Sequence, residues 1–261
     1  MAKKDRPQRD TVKFTTPRGV WAYPKLHKPD TRYKPEGVYE VKNIIDPKGK
    51  FLINNGKDTA TLEEIYELLD GLLERTMKKE RARLSEIAKG SDKKKAKKAQ
   101  SALDGLTKRD AVFKAHEDDD GNETDKLEIK ATMKASGEKA DGTVWTRKPD
   151  IFDAGGNPLK KVPAIFGGTE GKVAVEAAGY YVPPKEGNAA VVGVAFYLDG
   201  VQILKLVKGG ERSASSYGFG KEEGYEDDGG PADDDEDEDE DESDSKSKAG
   251  AGGAADDDED F

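Results

Sequence analysis

Residues 18–34 read RGVWAYPKLHKPDTRYK, in which Trp21, Tyr23 and Tyr33 alternate with Arg18, Lys25, Lys28, Arg32 and Lys34. Cations answer phosphates and flat apolar rings answer unstacked bases; a single nucleic-acid strand offers both at once. Stacking one base on one ring contributes ~1–3 kcal/mol with little regard to sequence, because every base has a π-face. The same rings could instead be core residues of a β-domain. That is the reading for Tyr39 and Phe196, which stand inside apolar runs. For Trp21 and Tyr23, set among charges, both readings stay open.

Other chemistry is sparse. The two histidines, His27 and His116, have no pairing motif around them, and no GxSxG, HExxH or Walker pattern occurs. A nuclease therefore finds no arranged catalytic group. EDDDGNETD (117–125) has the composition of a calcium loop. With Gly121 at loop position 6, however, His116 and Leu127 fall where an aspartate and a bidentate glutamate must stand. The segment reads as a polar turn. With no cysteine, disulfides and thiolate metal sites are excluded, and the composition fits a reducing compartment. No catalytic residue, metal site or cofactor is expected.

The net charge of −10 conceals a division. Residues 222–261 hold 21 acidic residues against two lysines, whereas residues 1–221 hold 42 basic against 33 acidic. The basic excess concentrates in two places: residues 1–35, with ten basic and three acidic, and residues 75–100, with eleven and three. From 209 onward Gly, Ser and like charges leave almost nothing apolar to bury, so 209–261 is expected to be a disordered acidic tail. It finishes on DDDEDF: Asp256, Asp257, Asp258, Glu259, Asp260 and then Phe261. Solubility alone has no use for a terminal ring; a partner's apolar pocket has. The start, MAKKDRPQRD, lacks the apolar run of a signal peptide, and AAVVGVAFYL is far shorter than the ~20 residues of a spanning helix. A soluble intracellular chain without a membrane partner is expected.

The elements that must position these groups follow from periodicity. EGVYEVKNII (36–45) reads as a strand, and KLEIKATMK (126–134) alternates cleanly, placing Leu127, Ile129, Ala131 and Met133 on one face and Lys126, Lys130 and Lys134 on the other. Such a lysine row is also what the wet face of any sheet carries. Segments 143–147, 171–182, 189–198 and 201–207 continue the strands, the last two separated by Asp199-Gly200, a strong hairpin signal. Between the early and late strands lies a helical insertion, about 59–106. Thr61 and Glu64 form a capping-box pattern ahead of a stripe of Ile65, Leu69, Leu72 and Leu73, Gly90 ends the first helix, and a lysine-rich second helix opens near Ser91. Strands, one helical insertion, then more strands indicate a mainly β domain over 1–208, a small antiparallel barrel or sandwich with helices on one side.

Together these stretches resemble the replication single-stranded DNA-binding protein family of short-tailed phages. VWAYPKLHKPD (20–30), KPEGVYEV (34–41), VPAIFGGTEGKVAV (162–175) and NAAVVGVAFYLDGVQILKLV (188–207) are similar to that family's stretches in the same order, and the terminal aromatic completes the set. The resemblance implies an OB-fold-like antiparallel barrel, single-stranded DNA bound in a basic, aromatic cleft, and a homodimer. It also implies a tail that contacts the replicative DNA polymerase and the helicase-primase, all in the cytoplasm of an infected bacterial host during DNA replication and recombination. DNA-contacting positions of the family fall on Lys3, Lys130, Lys172 and Tyr180, with Trp21 and Tyr23 at aromatic positions; Lys25, Arg32, Lys34 and Lys134 complete the cationic set. The chain departs from the family at Glu36, where a basic residue is expected: either Arg32 or Lys34 takes that role, or the cleft runs differently. It departs again at Ala174, where the family has a lysine beside Lys172. An acidic-tailed chaperone or adaptor for basic proteins is the alternative reading.

Overall fold

The computed structural model describes residues 10–110, 113–118, 120–185 and 188–207, and its strands follow the alternation of apolar and polar positions. They are β1 Thr11–Thr15, β2 Gly19–Asp30, β3 Val38–Ile45, β4 Phe51–Ile53, β5 Asp58–Ala60, β6 Thr107–Lys108, β7 Lys114–Glu117, β8 Glu123–Lys134, β9 Ser136–Glu138, β10 Val144–Thr146, β11 Asp150–Phe152, β12 Glu170–Val182 and β13 Val191–Lys205. Helix α1 spans Leu62–Ala88 and α2 spans Lys93–Asp104. All described residues fall in the unit Met1–Glu211; Lys3 and the expected tail lie outside the described residues.

Five strands close a ring in the order β2, β3, β8, β13, β12 and back to β2. Every pairing in the ring is antiparallel except β8 with β13, which run parallel where Thr132 meets Tyr197. This is the five-stranded Greek-key arrangement of an OB barrel. Strand β1 lies along β12 and carries β4 and β5 beyond it. Tyr39, Val41 and Ile45 of β3 and Ile129, Ala131 and Met133 of β8 point into the core, and their neighbours point out. Phe196 is half-buried and packs against Phe14 and Phe113 at the edge of the core, and Tyr39 is buried within it, so both rings serve the core.

The expected hairpin at Asp199-Gly200 is absent; β13 runs through it as one strand. A type I′ turn needs positive φ at both residues, and neither adopts it. Opposite Ala174 and Val175 of β12 stand Gly200 and Leu198, so Asp199 is the extra residue of a β-bulge, and its carboxylate reaches the Lys13 ammonium at 3.3 Å. Glycine is required next to it: a Cβ at Gly200 would stand 2.9 Å from the Asp150 carbonyl of the paired β11.

Helix α1 opens with the expected capping box. The Glu64 N–H donates to Thr61 Oγ1 at 3.3 Å, and the Thr61 N–H donates to the Glu64 carboxylate at 2.7 Å; losing such a cap costs about 0.5–2 kcal/mol. Ile65, Leu69 and Leu72 face the barrel core, whereas Leu73, Met77 and Leu84 form a second core with Ala99 and Ala102 of α2 and Val192 of β13. The cap of α2 is Asp92, whose carboxylate accepts from the N–H groups of Lys94 and Lys95, one residue beyond the expected Ser91. Of the segment read as a polar turn, Glu117 ends β7 and 123–125 already belong to β8; the turn lies between them, with Asp118 accepting from the Asn122 N–H at 2.8 Å.

Among the described residues strands β9 and β10 pair only with each other, and they form a wing beside the barrel. Its Trp145 ring lies against the Gly137 backbone, and the Arg147 guanidinium covers it at 5.2 Å. Arg147 Nε donates to the Lys134 carbonyl at 2.8 Å, which ties the wing to the end of β8.

Candidate nucleic-acid interface

The outer face of β2, β3 and β8 is ordered by cross-strand register. Val20, Ile44 and Glu128 form one row; Ala22, Lys42 and Lys130 the next; then Lys25, Glu40 and Thr132; then Asp30, Val38 and Lys134. Lys25, Lys130 and Lys134 are thereby brought onto a single surface, with Lys42 among them. Lys42 was not singled out by sequence, because its strand reads first as core; period-2 alternation about the buried Val41 and Asn43 gives its outward direction.

Trp21 and Tyr23 receive opposite fates. Trp21 is 0% exposed and its indole lies on Gly171, where a Cβ would stand 2.4 Å from the ring. It is a core residue fastening β2 to β12, which corrects its place among the DNA-contacting candidates: no base can reach the ring. Its Nε1 is buried without a hydrogen-bond partner among the described residues. Tyr23 sits at a bulge, since Ala22 and Lys25 face Lys42 and Glu40, and one residue too many must fit between. Its φ of 49° absorbs that residue and aims the side chain outward, leaving it 77% exposed.

The loop before β12 adds a second ring. The Trp21 N–H donates to the Thr169 carbonyl at 2.8 Å and the Gly168 N–H to the Trp21 carbonyl at 3.0 Å, so this loop runs along β2. A Cβ at Gly167 would lie 3.9 Å from the Tyr23 backbone nitrogen. Phe166, the residue before, is 44% exposed, and Val20 nearby is 39% exposed. Phe166 was missed by sequence; the signal is its place just ahead of Gly167-Gly168, in a run too short to be a strand.

Arg32 and Lys34 lie in the loop between β2 and β3, at the Lys134 end of the face. Arg32 is engaged by Asp30, with Nη2 at 2.8 Å and Nε at 3.1 Å from its carboxylate oxygens. Those hydrogen bonds, with one from the Arg32 N–H, hold the Asp30 carboxyl down at about 2 against 3.8. Lys34 carries no such partner among the described residues; its carbonyl accepts from the Gly37 N–H and closes the turn.

Lys172 and Tyr180 are not part of this cluster. Lys172 sits on β12 opposite Gln202 of β13, two residues past Glu170, whose carboxylate is held below the usual range by Arg18 and Lys205. Tyr180 lies further along β12, about 33 Å of extended strand beyond Glu170 at ~3.3 Å per residue. It packs over Gly193 beside Arg75, Thr76 and Lys79 of α1. The expected single set is therefore spread over the β2–β3–β8 face and two separate places along β12. Asp256–Phe261 lie outside the described residues. Among the described residues no group of His, Asp or Glu is arranged to hold a metal ion.

No protein-family model matches the chain, and no curated protein matches it. Its neighbours among solved structures are phage single-stranded DNA-binding proteins. The chain is similar to gp2.5, a single-stranded DNA-binding protein encoded by bacteriophage T7, at 21% identity and a TM-score of 0.49, over 84% of this chain and 100% of that one. It is also similar to the single-stranded DNA-binding protein from bacteriophage Enc34 in complex with single-stranded DNA, at 15% identity and a TM-score of 0.40, over 76% of this chain and 88% of that one.

Proposed function

We propose that the chain is a phage single-stranded DNA-binding protein, not an enzyme, and that it lays the strand across the outer face of β2, β3 and β8. The observation that carries this reading is Tyr23, turned out of the sheet by a bulge, next to the loop that carries the exposed Phe166 and on the face that carries Lys25, Lys42, Lys130 and Lys134. OB barrels bind oligonucleotides on this face, the one formed by their second and third strands, here β3 and β8. Rings stack bases without reading them, and lysines follow the phosphates, so coverage is general rather than sequence-specific. Arg32 and Lys34 extend the cationic path at the loop end.

The acidic tail, 209–261, competes with DNA phosphates for the same cations. Once displaced, Asp256–Asp260 steer toward basic patches on the replicative polymerase and helicase-primase, and Phe261 anchors the encounter. A homodimer acting in replication and recombination in the host cytoplasm completes the proposal.

Fluorescence anisotropy of labelled oligo-dT tests it. Binding is expected to exceed that of duplex and to fall with salt, with a log–log slope no steeper than about −3, the limit for four neutralised phosphates on a single strand. Removing residues 222–261 is expected to tighten it. Absence of oligo-dT binding at about 50 mM salt, or equal affinity for duplex, refutes the reading.

A further inference from the structure

Lys42 and Lys130 stand directly opposite each other on β3 and β8, an arrangement that destabilises a sheet when both are charged. Each ammonium reaches diagonally to a carboxylate on the other strand. Lys130 Nζ is 2.7 Å from Glu40, and Lys42 Nζ is 3.4 Å from Glu128. Glu40 also has Lys25 as its register partner on β2. The centre of the cationic face is therefore a square of two lysines and two glutamates whose charges cancel. A phosphate arriving at Lys42 or Lys130 meets an anion already in place.

We propose that Glu40 and Glu128 are built-in phosphate surrogates that hold the two lysines in binding geometry and limit the affinity of the face for DNA. The inference rests on the function proposed above. In the free protein the carboxylates relieve the Lys42–Lys130 repulsion; in the complex, phosphates take over that task and the carboxylates are displaced. Each displaced carboxylate then takes up a cation from solution, which offsets one of the cations released from the DNA. The result is a coat that is weaker, less salt-sensitive and easier to remove than its lysine count implies. Removability is what a protein covering a template needs when a polymerase follows.

The test uses the full chain carrying Glu40→Gln with Glu128→Gln, and oligo-dT over a range of salt. Solvent-accessible ion pairs are worth ~0.2–1 kcal/mol, so each substitution is expected to tighten oligo-dT binding about 1.4- to fivefold. The salt slope is expected to steepen by up to about one per carboxylate, and the melting temperature to fall slightly as the lysines lose their partners. Glu176→Gln, which removes a carboxylate paired with Lys13 at 3.0 Å on the β12 side, is expected to change neither affinity nor slope. Should the double variant fail to fold, Glu40→Gln alone carries the test. Wild-type binding with an unchanged affinity and slope in the glutamine variants overturns this inference and leaves the DNA-binding function standing. An equal gain from Glu176→Gln reduces the effect to net charge and also overturns it. A wild-type protein that ignores oligo-dT overturns the function itself.

Discussion

Replacing Tyr23 by glycine should move stability and DNA affinity in opposite directions. A non-glycine residue in the left-handed region costs about 1–2 kcal/mol, and Tyr23 is held there at φ 49°. Glycine removes that cost but adds unfolded-state entropy of roughly 0.5–1 kcal/mol. The side chain is 77% exposed, so its removal forfeits little packing. The net change is a stabilisation between zero and about 1.5 kcal/mol, a rise in melting temperature of at most ~6 °C for a domain of this size. Affinity for oligo-dT should fall by ~1–3 kcal/mol, about 5- to 150-fold, because one stacking platform is lost. Differential scanning fluorimetry and anisotropy on the same preparation give both numbers. Wild-type affinity in the glycine variant refutes the assignment of Tyr23 to DNA, and a fall in melting temperature beyond about 5 °C refutes the reading of the bulge.

Trp21→Ala should behave in the contrary way, destabilising the barrel by ~3–5 kcal/mol as a core cavity, whereas Trp21→Phe should fold and bind oligo-dT nearly as the wild type does. Phe166→Ala is expected to weaken oligo-dT binding by ~1–3 kcal/mol with the melting curve little changed; unaltered affinity would remove Phe166 from the interface. Asp30 should titrate near about 2, and its stabilising ion pair with Arg32 should be intact above 3.8 and lost as pH falls toward about 2. Carboxyl NMR titration of the wild type and Arg32→Ala checks this, with the midpoint in the variant returning toward 3.8.

Where one residue's surroundings are local, the sequence was a sufficient guide. The Thr61–Glu64 cap, the apolar stripe of α1 and the alternation in β8 depend on neighbours four or fewer positions away, and all three appear as expected. Asp199-Gly200 failed because its conformation is decided by β12 and β11, distant in sequence, which together hold β13 straight through a turn-forming dipeptide. Trp21 and Tyr23, two residues apart, looked alike from composition. Strand alternation alone would have put both on the same face; one inserted residue at the bulge separates them. Lys130 and Lys172 looked alike too, yet the order of strands around the ring sends one to β8 and the other to β12.

The wing has a practical consequence. Of the two tryptophans in the chain, Trp21 is sealed in the barrel, so its emission reports whether the fold is intact. Trp145 lies between the Gly137 backbone and the Arg147 guanidinium, which also donates to the Lys134 carbonyl at the end of β8. A strand that displaces Lys134 is expected to disturb that cover and with it the emission of the indole, so the two rings offer separate signals, one for integrity of the barrel and one for events at the wing.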